Sequence, residues 1–331
     1  MQQLTSSQQL SAFARGSDVG LVPTMGALHA GHASLVERAK QENGCVIVSI
    51  FVNPLQFNKA DDLRKYPQTL VADIALLEKL NVDAVYLPQY ADVYPEGNDV
   101  QQLSAGSAGD SFEGAARPGH FDGMLTVVHR LLQQVSPSHV YFGEKDAQQL
   151  CLARLMVEKL EMPVKVVGCD LSRDADGLAF SSRNVHLSDA ARNDALRLHQ
   201  ALIRASEDFA AGERQAQNLL NTIHEVLNGG DIKIAYCAVV NDKTFAELNA
   251  EVEKGNTVNI EAEFGDVLFS LINYARFINV NPENALERTN KKFINRFQYL
   301  EKAAKEIDKS LHDMTLAEMD VFWNEAKKLY K

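Results

Sequence analysis

An α/β fold built on a doubly wound parallel sheet is predicted by three features of this sequence of 331 residues. Short apolar runs rich in β-branched residues alternate with amphipathic helical segments over residues 19–170, a rhythm typical of βαβ units. The runs are apolar throughout, as expected for strands buried on both faces of a parallel sheet. From about residue 189 the pattern becomes almost entirely helical.

Five strands and two intervening helices are predicted in the first part of the chain. The helices are HASLVERAKQEN (32–43) and YPQTLVADIALLEKLN (66–81). In a sheet of this kind, ligands bind where the strands end at their carboxyl edges. The predicted strands are VGLVPTM (19–25), CVIVSIFV (45–52), DAVYLP (83–88), SHVYFGEKD (138–146) and VKVVGCD (164–170).

The remainder predicts an incomplete small α+β domain and then a C-terminal all-α segment. Two helices, 188–212 and 213–230, precede a single predicted strand, IKIAYCAVV (232–240). We therefore predict a Rossmann-like domain over 1–171, a small lid domain over 172–242 and a helical segment over 243–331. The helices predicted in the last segment are 245–254, 260–278, 282–307 and 315–330.

Composition narrows the classes of partner. The 44 acidic residues outnumber the 33 lysines and arginines and give a net charge of −11. This balance argues against nucleic acid or an anionic membrane as the main partner, while a small anionic ligand in a local pocket remains allowed. The four cysteines form no CxxC pair, and the sequence shows neither a signal peptide nor an apolar run of spanning length. We expect a soluble, cytoplasmic protein.

The segment PTMGALHAGH (23–32) is the strongest candidate for a nucleotide site. It lies where the first strand gives way to its helix, whose free N–H groups and dipole favour phosphate. His29 and His32 are three residues apart and can point into one cleft, where they could stabilise phosphate charge. A pair of capping histidines and a zinc pair are the alternatives. The candidate binding residues are Met25, Gly26, Ala27, Leu28, His29, Ala30, Gly31 and His32.

Two further segments complement this motif. Gly143, Glu144, Lys145 and Asp146 follow another buried strand and should reach the same edge of the sheet. Lys145 offers a point charge for phosphate oxygens, and Asp146 an acceptor or an indirect Mg²⁺ contact. Ser181, Ser182 and Arg183 add hydroxyls and a guanidinium fork suited to a triphosphate. Taken alone, the first segment is an ordinary turn and the second a helix cap.

Six ordered motifs, spread over about residues 18–240, resemble the pantothenate synthetase (pantoate:β-alanine ligase) family of the nucleotidylyl transferase superfamily. They are PTMGALHAGH, SIFVNPLQF, the Tyr66-Pro67 pair, ARPGHFDG, FGEKDAQQL and DGLAFSSRN. The resemblance implies ATP-dependent condensation of pantoate with β-alanine through a pantoyl-adenylate, with release of pyrophosphate and AMP. ATP and Mg²⁺ would be the cofactors, and we expect a homodimer.

The resemblance also implies residue roles. Met25 to His32, Gly143 to Asp146 and Phe180 to Arg183 would bind ATP; Phe180 stands where the family usually has Met or Leu. The catalytic residues would be His32 as proton donor, His29, Lys145 and Arg183. Gln56 and Gln149 would hold pantoate, with Gln56 also linked to the β-alanine site. Asn53 and Tyr66 would line that pocket, and Asp73 lies near a position that ligates Mg²⁺ in some members.

Residues 246–331 resemble the carboxyl-terminal part of a MazG-like nucleotide pyrophosphohydrolase. Glu263 and Asp266 would share a helix face able to hold Mg²⁺, the alternative being a solvated acidic turn. The family's preceding EExxE motif is reduced to Glu247, so we predict little or no hydrolysis of nucleoside triphosphates. Lys292, Arg296 and Trp323 are the candidates for phosphate and base contacts.

The joined character of the chain is a separate interpretation. Residues 1–240 hold 8 Lys and 12 Arg, whereas residues 241–331 hold 10 Lys and 3 Arg. We interpret this shift as a junction of two incomplete segments near Asp242 to Leu248, the alternative being the lysine preference of a surface helical domain. A third, non-enzymatic hypothesis makes the second segment an oligomerisation module, through an apolar stripe from Val267 to Ile278.

Overall fold

The computed structural model of the chain describes most of its residues. Its contacts separate two units, Met1–Ile232 with Tyr236–Tyr274 and Lys233–Ala235 with Ala275–Lys331, which are described separately below. The described residues are 1–13, 16, 18–58, 60–248, 282–306, 309, 311 and 314–329.

A six-stranded, fully parallel sheet forms the centre of the first unit, and its strand order is β1-β4-β3-β2-β5-β6. All five predicted strands are confirmed. The additional strand, β1, is a three-residue edge strand whose polar sequence QQL gives no apolar pattern. The bounds are β1 (Gln2–Leu4), β2 (Val19–Thr24), β3 (Cys45–Ile50), β4 (Ala84–Tyr86), β5 (His139–Gly143) and β6 (Lys165–Cys169).

Helices cover the sheet and continue beyond it. In the first unit they are α1 (Ser7–Ala12), α2 (Ala30–Glu42), α3 (Ala60–Lys65), α4 (Leu70–Lys79), α5 (Tyr90–Val93), α6 (Glu113–Ala116), α7 (His120–Val135), α8 (Ala147–Lys159), α9 (Asp189–Ala210) and α10 (Ala216–Leu227).

The apolar strands are explained by two separate cores. Leu21 of β2 and Ile47 of β3 belong to one cluster, while Val22 and Val48, the next residues along, belong to another. Because successive strand residues point to opposite faces, each strand buries both sides of its backbone. Apolar residues at every position are therefore required, and the predicted doubly wound fold class is confirmed.

Helix α7 contributes most of its length to the first core and was absent from the sequence-based prediction. Its buried positions Met124, Leu125, Val128, Leu131 and Leu132 follow helical spacing. Gly123 allows α7 to approach the turn at residues 54–56, because an added Cβ would lie 2.2 Å from the Leu55 carbonyl oxygen. This close packing brings α7 directly beneath the cleft described below.

Over residues 232–248 two predictions are wrong, the strand 232–240 and the start of the helix 245–254, whose residues 249–254 lie outside the described residues. The predicted strand 232–240 is reduced to an isolated antiparallel bridge between Val240 and Glu247. The predicted helix 245–254 does not begin at Phe245, which has a φ of 55° and packs against Cys151 and Ala147. A residue with a left-handed backbone cannot lie within a right-handed helix. The predicted helix 260–278, with Glu263 and Asp266, lies outside the described residues.

The second unit contains the helices α11 (Pro282–Glu306) and α12 (Leu316–Leu329), as predicted. The two helices contact one another, and the Tyr299 hydroxyl lies 3.2 Å from the Glu325 carboxylate. Leu300, Ala303 and Ala326 are buried. Across the described part of the chain, no helix combines the length and apolar character needed to cross a membrane.

Candidate active site

A cleft with a cavity volume of ≈ 240 Å³ opens at the carboxyl ends of β2, β5 and β6. The chain leaves β2 toward β3 and later returns on its other side as β5, so the strand order reverses here, where such sheets bind ligands. The three predicted loops meet in this cleft. Its lining includes Met25, His29, Gly31, His32, Gln56, Tyr66, Gly143, Lys145, Asp146, Gln149, Phe180, Ser181, Ser182 and Arg183.

The turn after β2 is held by a carboxylate from α4. Asp73 accepts hydrogen bonds from the backbone N–H groups of Ala27 (3.0 Å) and Leu28 (2.8 Å), and from the Thr69 hydroxyl (3.0 Å). Gly26 has a φ of +83°, and a Cβ there would lie 3.1 Å from an Asp73 carboxylate oxygen. Gly26, Ala27 and Leu28 therefore shape the cleft from behind and are not among its lining residues.

Asp73→Asn is expected to destabilise the fold by about 1–3 kcal/mol, because an amide N–H₂ would face a buried backbone N–H. Because the sequence resemblance implies that the cleft binds ATP, we also expect weaker ATP binding that added Mg²⁺ does not restore. Urea unfolding and the KM for ATP measured over a Mg²⁺ series check this. Asp122→Asn is the matched control. The Asp122 carboxylate also accepts a hydrogen bond from a loop N–H, that of Ala105, but Asp122 does not line the cleft. Full rescue of Asp73→Asn by excess Mg²⁺ would contradict it.

His29 and His32 form a reciprocal cap at the start of α2. The His29 Nδ1 accepts from the Gly31 N–H at 3.1 Å, and the His32 Nδ1 accepts from the His29 N–H at 3.2 Å. Each neutral ring must then carry its proton on Nε2. The two rings lie 4.1 Å apart between centroids, and both line the cleft. The two histidines therefore cap the helix and line the cleft at the same time, so these two predicted alternatives do not exclude each other.

Both imidazoles are neutral in the ligand-free cleft. Burial and the charge of Lys145 lower the pKa of His29 to about 4. Burial, His29 and Lys145 lower the pKa of His32 to about 3. The rings therefore offer Nε2–H hydrogen-bond donors at neutral pH, and a bound triphosphate would raise both pKa values.

Charged groups from β5 and the 180–183 loop face the histidines. The Lys145 Nζ lies 3.0 Å from an Asp146 carboxylate oxygen. Lys145 and Arg183 hold the pKa of the exposed Asp146 carboxyl below its usual range. The Phe180 ring stacks near His29 with 6.3 Å between centroids. Glu144 does not line the cleft, because its carboxylate lies toward Gly168 of β6.

Tyr66 lines the cleft beside Ser182 and Arg183. Burial raises the pKa of the Tyr66 phenol, opposed by Arg183 and by a hydrogen bond with Ser182. Phe57 packs against Tyr66 with 5.8 Å between ring centroids. The position predicted for Tyr66, in the lining of the substrate pocket, is compatible with this location.

The orientation of the Gln56 amide is fixed by its neighbours. Its Oε1 accepts from the Asn53 Nδ2 at 3.1 Å, and its Nε2 lies 3.0 Å from the Met25 sulfur. Asn53 is fully buried and is itself held by the Gly123 carbonyl and the Tyr94 hydroxyl. Asn53 therefore supports Gln56 from below and does not line the cleft. Gln56 presents N–H donors to a ligand, and Gln149 lines the same space.

Arg117 and His120 also line the cleft, and residue-based reasoning did not single them out. The His120 Nδ1 lies 2.7 Å from the Gln56 carbonyl oxygen, and its Nε2 lies 3.3 Å from the Arg117 Nη1. Burial and Arg117 lower the pKa of His120 to about 3, so the ring is neutral and donates from Nδ1. The ARPGHFDG motif contains both residues, but no strand precedes it to place them at the sheet edge.

Comparison with known proteins now decides the family. The family model described as Pantoate-beta-alanine ligase matches residues 1–273. The chain belongs to this family. The matched range extends beyond residue 240, where the quoted motifs end, and overlaps the predicted junction near Asp242 to Leu248. The chain is accordingly an enzyme, a ligase of pantoate and β-alanine.

Relatives of the ligase agree in sequence and structure. The pantothenate synthetase of Fervidobacterium nodosum is 43% identical over 246 residues, covering 74% of this chain and 88% of the relative. The crystal structure of the Thermus thermophilus enzyme has a TM-score of 0.72 at 43% identity, with 76% of this chain and 91% of that chain covered. A Francisella tularensis pantoate-beta-alanine ligase, described as complexed with beta-gamma ATP and beta-alanine, has a TM-score of 0.62 at 37% identity, with 73% and 90% covered.

The ligase's described residues do not fit a dedicated metal centre. Within them, no group of three or more His, Cys, Asp or Glu side chains could hold a metal ion. Both Asp73 oxygens already accept hydrogen bonds from the protein. Glu247, the predicted remnant of the MazG-like acidic motif, is exposed and lies in the bridge with Val240, not on a helix. Arg296 lies on α11 and Trp323 on α12, while only the backbone is described for Lys292.

Proposed function

We propose that this cleft uses ATP to join pantoate to β-alanine in two steps, through a pantoyl-adenylate. The observation that carries the proposal is the meeting of phosphate-binding groups and carboxamides in one cavity. His32, Lys145 and Arg183 supply donors and positive charge, and Gln56 and Gln149 supply neutral donors for a small hydroxy acid. The ATP-complexed Francisella relative supports ATP as the nucleotide.

In the first step, the pantoate carboxylate attacks the α-phosphorus of ATP and pyrophosphate leaves. Uncharged carboxamides suit this nucleophile, because an ammonium partner would reduce its basicity. Charge that develops on the phosphate oxygens is stabilised by the Nε2–H groups of His29 and His32 and by the cations. Most of the rate then comes from alignment and electrostatic stabilisation, with no covalent bond to the protein.

In the second step, the amine of β-alanine attacks the carbonyl carbon of the adenylate and AMP leaves. The amine must lose a proton, and two exposed carboxylates, Asp146 and Asp170, line the cleft. Asp146 is the one we propose as the acceptor, and its lowered pKa keeps it ionised at neutral pH. Tyr66 and residues 180–183 line the same cleft, and in this proposal they exclude water from the adenylate.

One assay tests the proposed function. We expect conversion of ATP to AMP that requires both pantoate and β-alanine, and release of pyrophosphate with pantoate alone. Hydrolysis of dCTP and dTTP without either substrate is measured in parallel and is expected to be absent. AMP formation that ignores pantoate would contradict the ligase reaction. Pyrophosphate release from dCTP that disappears in Glu263→Ala would show instead a working MazG-like site.

Three finer statements belong to the same proposal. Mg²⁺ is proposed to enter bound to the phosphate oxygens of ATP, as part of the substrate. Residues 246–331 are proposed to be an incomplete MazG-like helical segment with little or no hydrolytic activity, joined to the ligase as a chimeric appendage, although residues 246–273 also fall within the ligase family match. The proposed working form is a homodimer in the cytoplasm. Light scattering that gave the molar mass of a monomer at all concentrations would exclude the dimer.

A further inference from the structure

Arg117 is the cation of the cleft that is connected to Gln56. Three lysine or arginine side chains line the cavity in the described part of the chain, namely Arg117, Lys145 and Arg183. Lys145 and Arg183 act together on Asp146 at the triphosphate end. Arg117 instead is connected to the pantoate end, because its Nη1 lies 3.3 Å from His120, and His120 donates to the Gln56 carbonyl.

The position of Arg117 is fixed from behind by a second chain of contacts. Its Nη1 lies 3.4 Å from Oε1 of Glu113, whose Oε2 accepts from the Tyr236 hydroxyl at 3.1 Å. The backbone N–H of Glu113 donates to Gln148, which also donates to the carbonyls of Ala108 and Ser111. The Arg117 side chain is only 11% exposed. The guanidinium is thus held in place by Glu113 and His120 while it lines the cleft, where its planar fork suits a carboxylate.

Resting on the proposed function, we propose that Arg117 binds the carboxylate of the amine substrate and thereby selects a β-amino acid. Both substrates carry a carboxylate, but only that of pantoate reacts. The carboxylate of the amine substrate must be held away from the adenylate, and a partly desolvated guanidinium is the group best suited to hold it. An α-amino acid is one carbon shorter, so its amine would lie closer to Arg117 than the amine of a β-amino acid does.

The chemistry of the step leaves Arg117 outside the proton transfer. The amine nitrogen forms the C–N bond, the C–O bond to AMP breaks with its electron pair leaving on the phosphate, and the ammonium proton is lost to a carboxylate or water. Arg117 only fixes where the amine lies. Its loss should therefore raise the KM for β-alanine and leave adenylate formation intact.

The experiment compares β-alanine with propylamine, which keeps the three-carbon chain and lacks the carboxylate. In wild-type enzyme kcat/KM should favour β-alanine strongly. Arg117→Met should lower that preference by about 100-fold, the usual cost of removing a desolvated charge partner. The rate with propylamine and the pyrophosphate released from ATP and pantoate should stay unchanged. Arg130→Met, which breaks an ion pair with Glu96 outside the cleft, should change none of these rates.

Arg117→Met alone leaves the Glu113 carboxylate without its ion-pair partner, which could impair folding. The double variant Glu113→Gln/Arg117→Met removes that carboxylate as well, so a loss of preference in it reports on substrate binding. This variant should show the same loss of preference. A retained preference in either variant overturns the inference, as does a loss that appears in Arg183→Met and not in Arg117→Met. If wild-type enzyme released no pyrophosphate with ATP and pantoate, the proposed function would fail instead, and the two failures are distinguishable.

Discussion

His32→Ala is expected to lower the rate of pantoyl-adenylate formation by about 10²–10³-fold, the usual effect of removing one donor to developing transition-state charge. The ring is neutral, with its Nδ1 occupied by the His29 N–H, so Nε2–H is its only group that can donate to a phosphate oxygen. Single-turnover release of pyrophosphate from ATP and pantoate measures the effect directly.

Two amide replacements separate the roles of the two ring nitrogens. Asparagine places an acceptor near the Nδ1 position and keeps the cap, whereas glutamine places a donor near the Nε2 position. We expect His32→Asn to be as slow as His32→Ala and His32→Gln to recover part of the rate. Recovery by asparagine alone would show that His32 only caps α2. An unchanged rate in His32→Ala would remove the assigned role altogether.

The sheet was predictable because its strands are buried on both faces. Continuous apolar sequence, as in CVIVSIFV, indicates a strand of a parallel sheet when amphipathic helices surround it. Strand β1 lacks this pattern, since only Leu4 of its three residues is buried. Helix α7 carries helical spacing from Met124 to Val135, but its start follows a loop without strong capping chemistry, and Gly119 at the N-cap has a left-handed backbone.

The site was predictable wherever a strand led into it. Residues following β2 and β5 meet because the carboxyl ends of parallel strands share one edge, and this rule brought His32 and Lys145 together. Asp73 comes from a helix 46 positions further along than Ala27, and no local pattern indicates that contact. Arg117 and His120 depend on the packing of α7 under Gln56, which is equally non-local.

In the segment after residue 240, a local helical pattern gives a wrong prediction because tertiary packing decides the structure. FAELNAEVEK has helical spacing, yet tertiary packing of Phe245 against Cys151 and a turn capped by Asn241 decide the described residues 241–248. Local propensity is a weak prior where a large side chain finds a buried position. The interpretation of a junction at Asp242 to Leu248 rests on the shift from arginine to lysine, and the family match through residue 273 overlaps the proposed junction.

Lys145→Ala is expected to lower adenylate formation by about 10²–10³-fold through two separable effects. The substitution removes a cation from the triphosphate side of the cleft. It also leaves the Asp146 carboxylate without the ammonium group now 3.0 Å away, so that ATP meets an uncompensated negative charge. Single-turnover pyrophosphate release and the KM for ATP are the measurements.

A double-mutant cycle resolves these two effects, because Lys145 and Asp146 are in direct contact and their substitutions should not be additive. The double variant Lys145→Ala/Asp146→Asn removes the repulsion between the Asp146 carboxylate and ATP, but it still lacks the Lys145 ammonium. We expect the double variant to bind ATP more tightly than Lys145→Ala and to form the adenylate more slowly than wild type. Lys165→Ala, on the edge strand β6 and outside the cleft, should match wild type. A double variant no better than Lys145→Ala would mean that Asp146 does not oppose the nucleotide, and wild-type kinetics in Lys145→Ala would mean that the triphosphate is bound elsewhere.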